Sequence, residues 1–435
     1  MLIEFSIGNY RSFKDKVTFS MVAANKIKAK DPKVDENNTF VVDDELTLLK
    51  SAAIYGANAS GKSNLAKAID FMNWFMINSS KETQSTEKIG VEIFGLSTET
   101  QNQPSFFEIV FLLDGKRYRY GFEATPERII SEWLFYVPNK RETRLFERNF
   151  EESTDIFNIS KTFKGEGIDS KTRHNALFLS VAAQFNVGIA EKILDWLTRK
   201  LQIISGLHNT KYLKYTVNCL KADNANRQEV IQLIKKLDLG IREIIVKEIE
   251  ITPEFFSEDI PKELKKILFK DGYMKATSIQ TGHQKFDNQG NDKSVELFDL
   301  ENQESEGTQK IFSIAGILVD TLKNGNILIF DEFDARLHPL ISKAIVEIFN
   351  SQETNYNNAQ LIFMTHDTNL LSNKLFRRDQ IWFTEKTKYG ATDLYSLVEY
   401  PIKNDASFES DYIKGKYGAI PFIGSLNQIL GNPDA

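Results

Sequence analysis

Three runs of uninterrupted apolar residues organise this chain: Ala52-Ala-Ile-Tyr55, Ile327-Leu-Ile-Phe330 and Leu361-Ile-Phe-Met364. A strand that faces water on one side alternates apolar and polar residues. Runs without alternation therefore predict strands buried on both faces, the pattern of a parallel sheet. Helical periods flank them, from Ser63 to about Met76, from about Gln309 to Leu322, and over residues 339–350. Strands alternating with helices predict an α/β fold with a mostly parallel core sheet. The first strand lies far upstream of the other two, so residues 80–300 read as inserted between core strands of one sheet.

Elsewhere the period is two. Leu2, Ile3, Phe5 and Ile7 predict an opening strand that turns at Gly8-Asn9 and pairs with Val17–Val22. Phe106–Leu113, Arg117–Glu123 and Glu132–Val137 follow, with a turn at Asp114-Gly115. Tyr118, Tyr120 and Phe122 alternate with Arg117 and Arg119, which predicts an antiparallel sheet with one buried face. Residues 25–45 and 79–90 are polar and read as loops. Residues 174–204 carry a helical period (Leu177, Phe178, Val181, Phe185, Ile189, Ile193, Trp196, Leu197), and 225–270 continue with helical and charged segments. No heptad pattern is sustained, so no long coiled-coil arm is expected. Residues 281–293 read as a hairpin tip or mobile loop. Three parts result: 1–170 with an antiparallel β lobe, 171–300 as a helical insertion, and 301–435 completing the core.

Composition changes this picture little. The 435 residues have room for two or three domains. The lone Cys219 excludes an internal disulfide, fits a reducing compartment and reads as an inert thiol. Neither a signal peptide nor a membrane span is visible, so a cytoplasmic location is expected. With 54 Lys and Arg against 60 Asp and Glu, the net charge is −6, which gives no global basic footprint for nucleic acid. The lysines at 26, 28, 30 and 33, and at 262, 265 and 266, read as solvated faces.

The chemistry begins at the first apolar strand. Gly56-Ala-Asn58-Ala-Ser60-Gly61-Lys62-Ser63-Asn64 is a complete P-loop, placed between a strand and a helix as that motif requires. Gly56 and Gly61 let successive amides turn toward phosphate oxygens, and the helix N-terminus adds its dipole. Lys62 reaches the β and γ phosphates, and the Ser63 hydroxyl is a Mg²⁺ ligand. Asp331-Glu332 closes the second strand, where Asp331 is placed to hold Mg²⁺ and Glu332 to polarise the attacking water. His366 closes the third strand in Thr365-His366-Asp367, within reach of a γ-phosphate or the water. Ser305-Glu306-Gly307-Thr308-Gln309 opens the helix before the Asp331 strand. It is by itself an ordinary cap, and in this company a second anion-binding surface.

This order of motifs resembles the ABC-type ATPase head. Ile7-Gly-Asn-Tyr-Arg11-Ser-Phe13 and Leu337-His338-Pro339 resemble the soluble SMC-like, RecF-like and OLD-type branch of that family. Asn175-Ala-Leu-Phe-Leu-Ser180 and Gly415-Lys-Tyr-Gly-Ala-Ile-Pro421 look like its RloA-like group, encoded in anti-phage and abortive-infection systems. The resemblance implies an ATP- and Mg²⁺-dependent ATPase that closes as a head-to-tail homodimer around ATP, with higher oligomers open to it. In such a dimer Ser305, Gly307 and Gln309 act in trans. Gly56, Asn58, Ser60, Gly61, Lys62, Ser63 and Asn64 hold nucleotide in cis, and Arg11 approaches the phosphates. Asp331 and Glu332 are the Walker B pair, His366 the switch histidine and Gln184 a candidate Q-loop glutamine. Two departures stand out: Glu306 replaces a usual glycine, and His338 stands where a transporter has its D-loop aspartate. OLD proteins carry a TOPRIM nuclease after the ATPase, and the residues beyond His366 show no such acidic cluster. The resemblance therefore implies a separate effector, a nuclease or toxin. A DNA-maintenance ATPase that binds DNA across the closed dimer is the alternative, and a non-enzymatic scaffold would need a damaged catalytic set. A transporter subunit is disfavoured by the length of 80–300.

Overall fold

The uninterrupted apolar runs lie side by side in one sheet, as their lack of alternation predicts. In the computed structural model, which describes residues 1–82, 84–207, 210–222, 225–237, 240–251, 274–403 and 406–421, the chain divides into two units. The first comprises residues 1–206, 321–335 and 345–435, the second residues 207–320 and 336–344.

The first unit opens with the expected hairpin, β1 (Leu2–Gly8) and β2 (Val17–Ser20). Within 25–45, expected as a loop, the chain instead forms α1 (Pro32–Asn38) and β3 (Thr39–Val41), and β3 pairs with β4 (Thr47–Leu49). Asp31 caps that helix by accepting from the Lys33 amide, and Pro32 starts it with φ already helical. Asp35 then pairs with Arg377, a buried partner far outside any local window. β5 (Ser51–Gly56) leads through the glycine loop into α2 (Lys62–Asn78). Next come β6 (Ser105–Leu113), β7 (Lys116–Ala124), β8 (Ile129–Val137), β9 (Thr143–Glu151) and β10 (Thr154–Ile159). They extend the opening hairpin into a seven-stranded antiparallel sheet, β10-β9-β8-β7-β6-β1-β2. Alternation turns Phe107, Phe111, Tyr120 and Phe122 inward. There Phe71 and Phe75 of α2 meet Phe107 and Phe122 at ring-centroid distances of 5.2 and 5.6 Å. The phosphate-loop helix is thus clamped on the β lobe by aromatic packing.

α3 (Phe178–Gln184) and α4 (Gly188–Lys200) match the helical period, but 201–204 do not continue it: β11 (Leu201–Ser205) is a strand. In the second unit, α5 (Thr210–Lys221) and α6 (Ala225–Lys236) precede a three-stranded antiparallel sheet. Its strands are β12 (Ile241–Ile251), β13 (Met274–Phe286) and β14 (Asp292–Asp299). Residues 241–251, expected as helical, are instead rich in β-branched isoleucine and pair along their length with β13. Residues 281–293 are two strand ends and their turn, and Lys262, Lys265 and Lys266 lie outside the described residues. α7 (Glu306–Asn324) leads to β15 (Ile327–Asp331), α8 (Pro339–Asn350), β16 (Gln360–Met364), β17 (Ile381–Lys386), β18 (Thr392–Ser396) and α9 (Phe408–Ile413). The core sheet runs β11-β15-β16-β5-β17-β18, with only the β17–β18 pair antiparallel. The fold class is therefore α/β, a mostly parallel core with an antiparallel β lobe. Its register brings Ser205 opposite Asp331 and Thr384 opposite Gly56, so the carboxyl ends of five strands share one edge.

Asn175–Ser180 docks on a buried ionic network. The Glu132 carboxylate accepts from the Phe178 and Leu179 amides (2.6 and 2.9 Å) and from the Tyr120 hydroxyl (2.9 Å). Fully buried Arg148 lies 3.9 Å from fully buried Glu132, pairs with Asp155 at 3.2 Å and donates to the Ala176 carbonyl at 2.8 Å. Removing one member strands the other's charge away from water. Arg148→Ala is therefore expected to lower stability by about 3–5 kcal/mol. Urea denaturation measures this, and an unchanged midpoint would show that the network does not hold α3.

Candidate functional site

The P-loop takes its shape from two glycines and from the strands behind it. Gly61 has φ +116°, outside the comfortable range of other residues, and a Cβ there would lie 2.7 Å from Thr392 Cγ2. The Thr392 hydroxyl donates to the Ser60 carbonyl at 2.7 Å and lies 2.8 Å from the Ser12 hydroxyl, which also accepts from Asn64 at 2.8 Å. A Cβ on Gly56 would sit 2.5 Å from both Ser60 Oγ and Thr384 Oγ1, and those two hydroxyls are 2.6 Å apart. β17 and β18 thus back the loop closely enough to exclude side chains at both positions.

Lys62 Nζ donates to the carbonyls of Gly56 (2.7 Å) and Ala57 (3.1 Å), which folds the amine into the loop it serves. Burial pulls its pKa down to about 8, against the raising effect of Asp331, Asp334 and Glu332. At the start of α2 the Ser63 hydroxyl donates to Asp331 Oδ1 at 3.0 Å. Burial pushes the Asp331 carboxyl up, and that hydrogen bond partly restores it. A hydroxyl and a carboxylate oxygen in contact are the hard donor set that suits Mg²⁺, which binds through one or two protein oxygens plus phosphate and water. Glu332 follows in the left-handed region (φ +52°), a backbone cost of the kind that collects at functional sites. Gly206, at the end of β11, donates its amide to the Asp331 carbonyl at 2.7 Å, and a Cβ on it would overlap the Glu332 carbonyl. His366 hangs from the turn after β16. Burial and then Lys62 lower its pKa, so the imidazole is neutral at pH 7.

These residues surround one cavity of about 380 Å³, lined by Asn58, Ser60–Asn64, Asp331, Glu332 and His366, together with Ser12, Ala59, Met364 and Lys386. Almost every nucleotide-site residue expected from the sequence is therefore brought together. Arg11 is not. Its guanidinium pairs with Glu92 and faces the Tyr10 ring, and its neighbour Ser12 lines the wall instead. Gln184 is exposed at the end of α3, whereas the strand beside β15 whose carboxyl end reaches the site edge is β11. Ser305, Gly307 and Gln309 open α7 in the second unit. Ser305 accepts from the Thr308 amide at 3.1 Å, and the Gln309 side chain donates to the Glu304 carbonyl at 3.0 Å. Glu306 pairs with Arg336 at 3.4 Å in the same unit, so it points at a cation. Sequence reasoning missed Ser12, Asp334, Thr384, Lys386 and Thr392. Only Ser12 left a signal, inside the Ile7–Phe13 motif.

The family model described as "AAA domain, putative AbiEii toxin, Type IV TA system" matches residues 51–372. No curated protein matches the chain. Among solved structures, the SMC head domain from Thermotoga maritima is 14% identical over 91% of this chain and 98% of its own, with a TM-score of 0.39. The Smc head domain with a coiled coil and joint from Pyrococcus yayanosii is 12% identical over 96% and 99%, with a TM-score of 0.44. The protein cbiO1 of Clostridium perfringens, part of the ABC transporter complex cbiONQ, is 11% identical over 96% and 92%, with a TM-score of 0.32.

Proposed function

The chain belongs to that AAA-domain family, and from this premise we propose that it is an ATP-hydrolysing, nucleotide-gated switch of the ABC type. The observation that carries the reading is the meeting of Ser63 with Asp331 in a cavity that also holds Lys62, Glu332 and His366. The amides of residues 57–63 and Lys62 bind the phosphates of ATP. Ser63 and Asp331 would hold Mg²⁺, which when bound supplies charge neutralisation on the phosphate oxygens. Glu332 accepts a proton from the attacking water, and neutral His366 orients that water or the γ-phosphate. Ser305, Gly307 and Gln309 complete the site from a second copy, so ATP acts as a conformational ligand as much as a fuel. The toxin and type IV toxin–antitoxin wording of the family supports a role in anti-phage defence, with a separate nuclease or toxin as effector. Net charge −6 and the lack of a global basic footprint favour this over DNA binding across the dimer. ATP turnover and particle mass, with and without double-stranded DNA, test the choice. Turnover indifferent to DNA supports a switch for a protein partner. Stimulation by DNA, weakening with salt, favours the maintenance role.

Lys62 gives the reading a pH signature. Its free-site pKa is about 8, and bound phosphates raise it by favouring the ammonium form. Nucleotide binding therefore takes up as much as about one proton above pH 8. Affinity is full below that pH and falls as pH climbs through it. Calorimetry at pH 9 in buffers of different ionisation enthalpy reads the uptake, and affinity that stays flat from pH 7 to 9.5 would exclude it.

A further inference from the structure

We infer that Asp334 is a positioning residue for His366, its carboxylate holding the turn that presents the imidazole to the nucleotide cavity. The inference rests on the role proposed for His366. Asp334 lies three residues beyond Asp331, in the turn after β15, and nothing in its sequence setting distinguishes it from a surface acid. The structure does. Asp334 Oδ1 accepts from the Thr365 hydroxyl at 2.7 Å and from the His366 amide at 3.2 Å.

Thr365 is fully buried, and its hydroxyl is fixed from the other side by accepting from the Asp367 amide at 3.0 Å. Its own amide donates to the Ile54 carbonyl at 3.1 Å, two residues before Gly56. One residue earlier in each turn, the Phe333 amide donates to the Met364 carbonyl at 3.0 Å. The turn that carries Glu332 and the turn that carries His366 are thereby stitched together residue by residue.

The His366 imidazole makes no hydrogen bond among the described residues, so its place at the cavity wall is set by the backbone from which it hangs. An acid that merely stapled a surface loop would tolerate loss without touching chemistry. One that sets the imidazole would act on turnover and only through His366. Glu332 and Lys386 share the cavity wall with His366, and the charged groups that act on its pKa are Lys62, which lowers it, and Asp334 and Asp331, which raise it. Loss of Asp334 thus removes one of the two anions that favour its protonated form.

Steady-state turnover over a range of ATP concentrations tests this, for wild type, Asp334→Ala, Asp334→Asn, His366→Ala and the Asp334→Ala/His366→Ala double variant. Asp334→Ala is expected to lower kcat at least about tenfold with KM for ATP within about twofold. Asp334→Asn keeps most turnover, because its amide oxygen accepts the same two donors. The double variant loses no more than His366→Ala alone, the coupling expected of residues acting as one unit. Additive losses overturn the inference. So does wild-type kcat in Asp334→Ala beside an impaired His366→Ala, a result that leaves the role of His366 standing. Wild-type turnover in His366→Ala overturns both.

Should Asp334→Ala not accumulate folded, Thr365→Val removes one donor and is expected to lower kcat at held KM, and wild-type kcat there overturns the inference. A readout independent of turnover is the imidazole NMR spectrum of the five histidines, with His366 identified by its loss in His366→Ala. Asp334→Ala lowers the His366 titration midpoint and broadens its signal, whereas Asp334→Asn lowers the midpoint alone. The same midpoint and line shape in wild type and Asp334→Ala overturn the inference.

Discussion

Glu332→Gln is expected to stop ATP turnover, by about 10²–10⁴-fold, while ATP still binds and gathers the chain into a stable ATP-bound dimer. The amide keeps the shape of the carboxylate and loses the base. Nothing that grips the nucleotide changes: Lys62 and the Ser63–Asp331 pair stay in place. The left-handed backbone at Glu332 is set by the Gly206 amide bonded to the preceding carbonyl and by the Phe333 amide bonded to Met364, and neither contact involves the carboxyl group. Phosphate-release kinetics and particle mass with ATP and Mg²⁺ measure the outcome together. Turnover at the wild-type rate would remove Glu332 from the chemistry, and a variant that lost ATP binding would show the residue to be a ligand instead.

Gly61→Ala abolishes nucleotide binding without unfolding the chain, the second large effect expected. Two independent costs meet at one atom. With φ +116° a Cβ is strained whatever the space, and it would stand 2.7 and 2.9 Å from Cγ2 and Cβ of Thr392. Thr392 cannot retreat freely, because its hydroxyl holds the Ser60 carbonyl and its amide donates to the Ser12 carbonyl at 2.6 Å. The loop must open, which swings the amides of residues 60–63 off the phosphates. Binding of a fluorescent ATP analogue, compared with the thermal midpoint, separates the two claims. Affinity within about twofold of wild type would show that the loop tolerates the side chain. The Thr392→Ala/Gly61→Ala double variant removes the contacts with Oγ1 and Cγ2 but keeps the 2.9 Å approach to Cβ and the φ, so it is expected to bind no better.

Much of the nucleotide site was legible because its chemistry is written in neighbours. Gly56 to Ser63 is one contiguous loop, and Asp331-Glu332 and His366 each follow an apolar run whose strand character needs only local pattern. Arg11 misled because its motif names a residue, while its direction depends on Glu92, a partner far along the chain. Gln184 rested on the resemblance alone; it is exposed at the end of α3, and the strand that borders β15 is β11.

The sequence by itself determined the α/β class, the parallel core strands and most of the residues that line the candidate nucleotide cavity. Backbone conformation and burial on both faces are encoded by residue type over a few positions. Only the tertiary structure decided that Asp334 holds the His366 turn, that Thr392 and Thr384 back the P-loop, and that Ser12 rather than Arg11 lines the cavity. Each of those depends on a pairing between segments tens to hundreds of residues apart, and such a pairing is fixed by packing and hydrogen-bond geometry, which leave no periodicity in the chain.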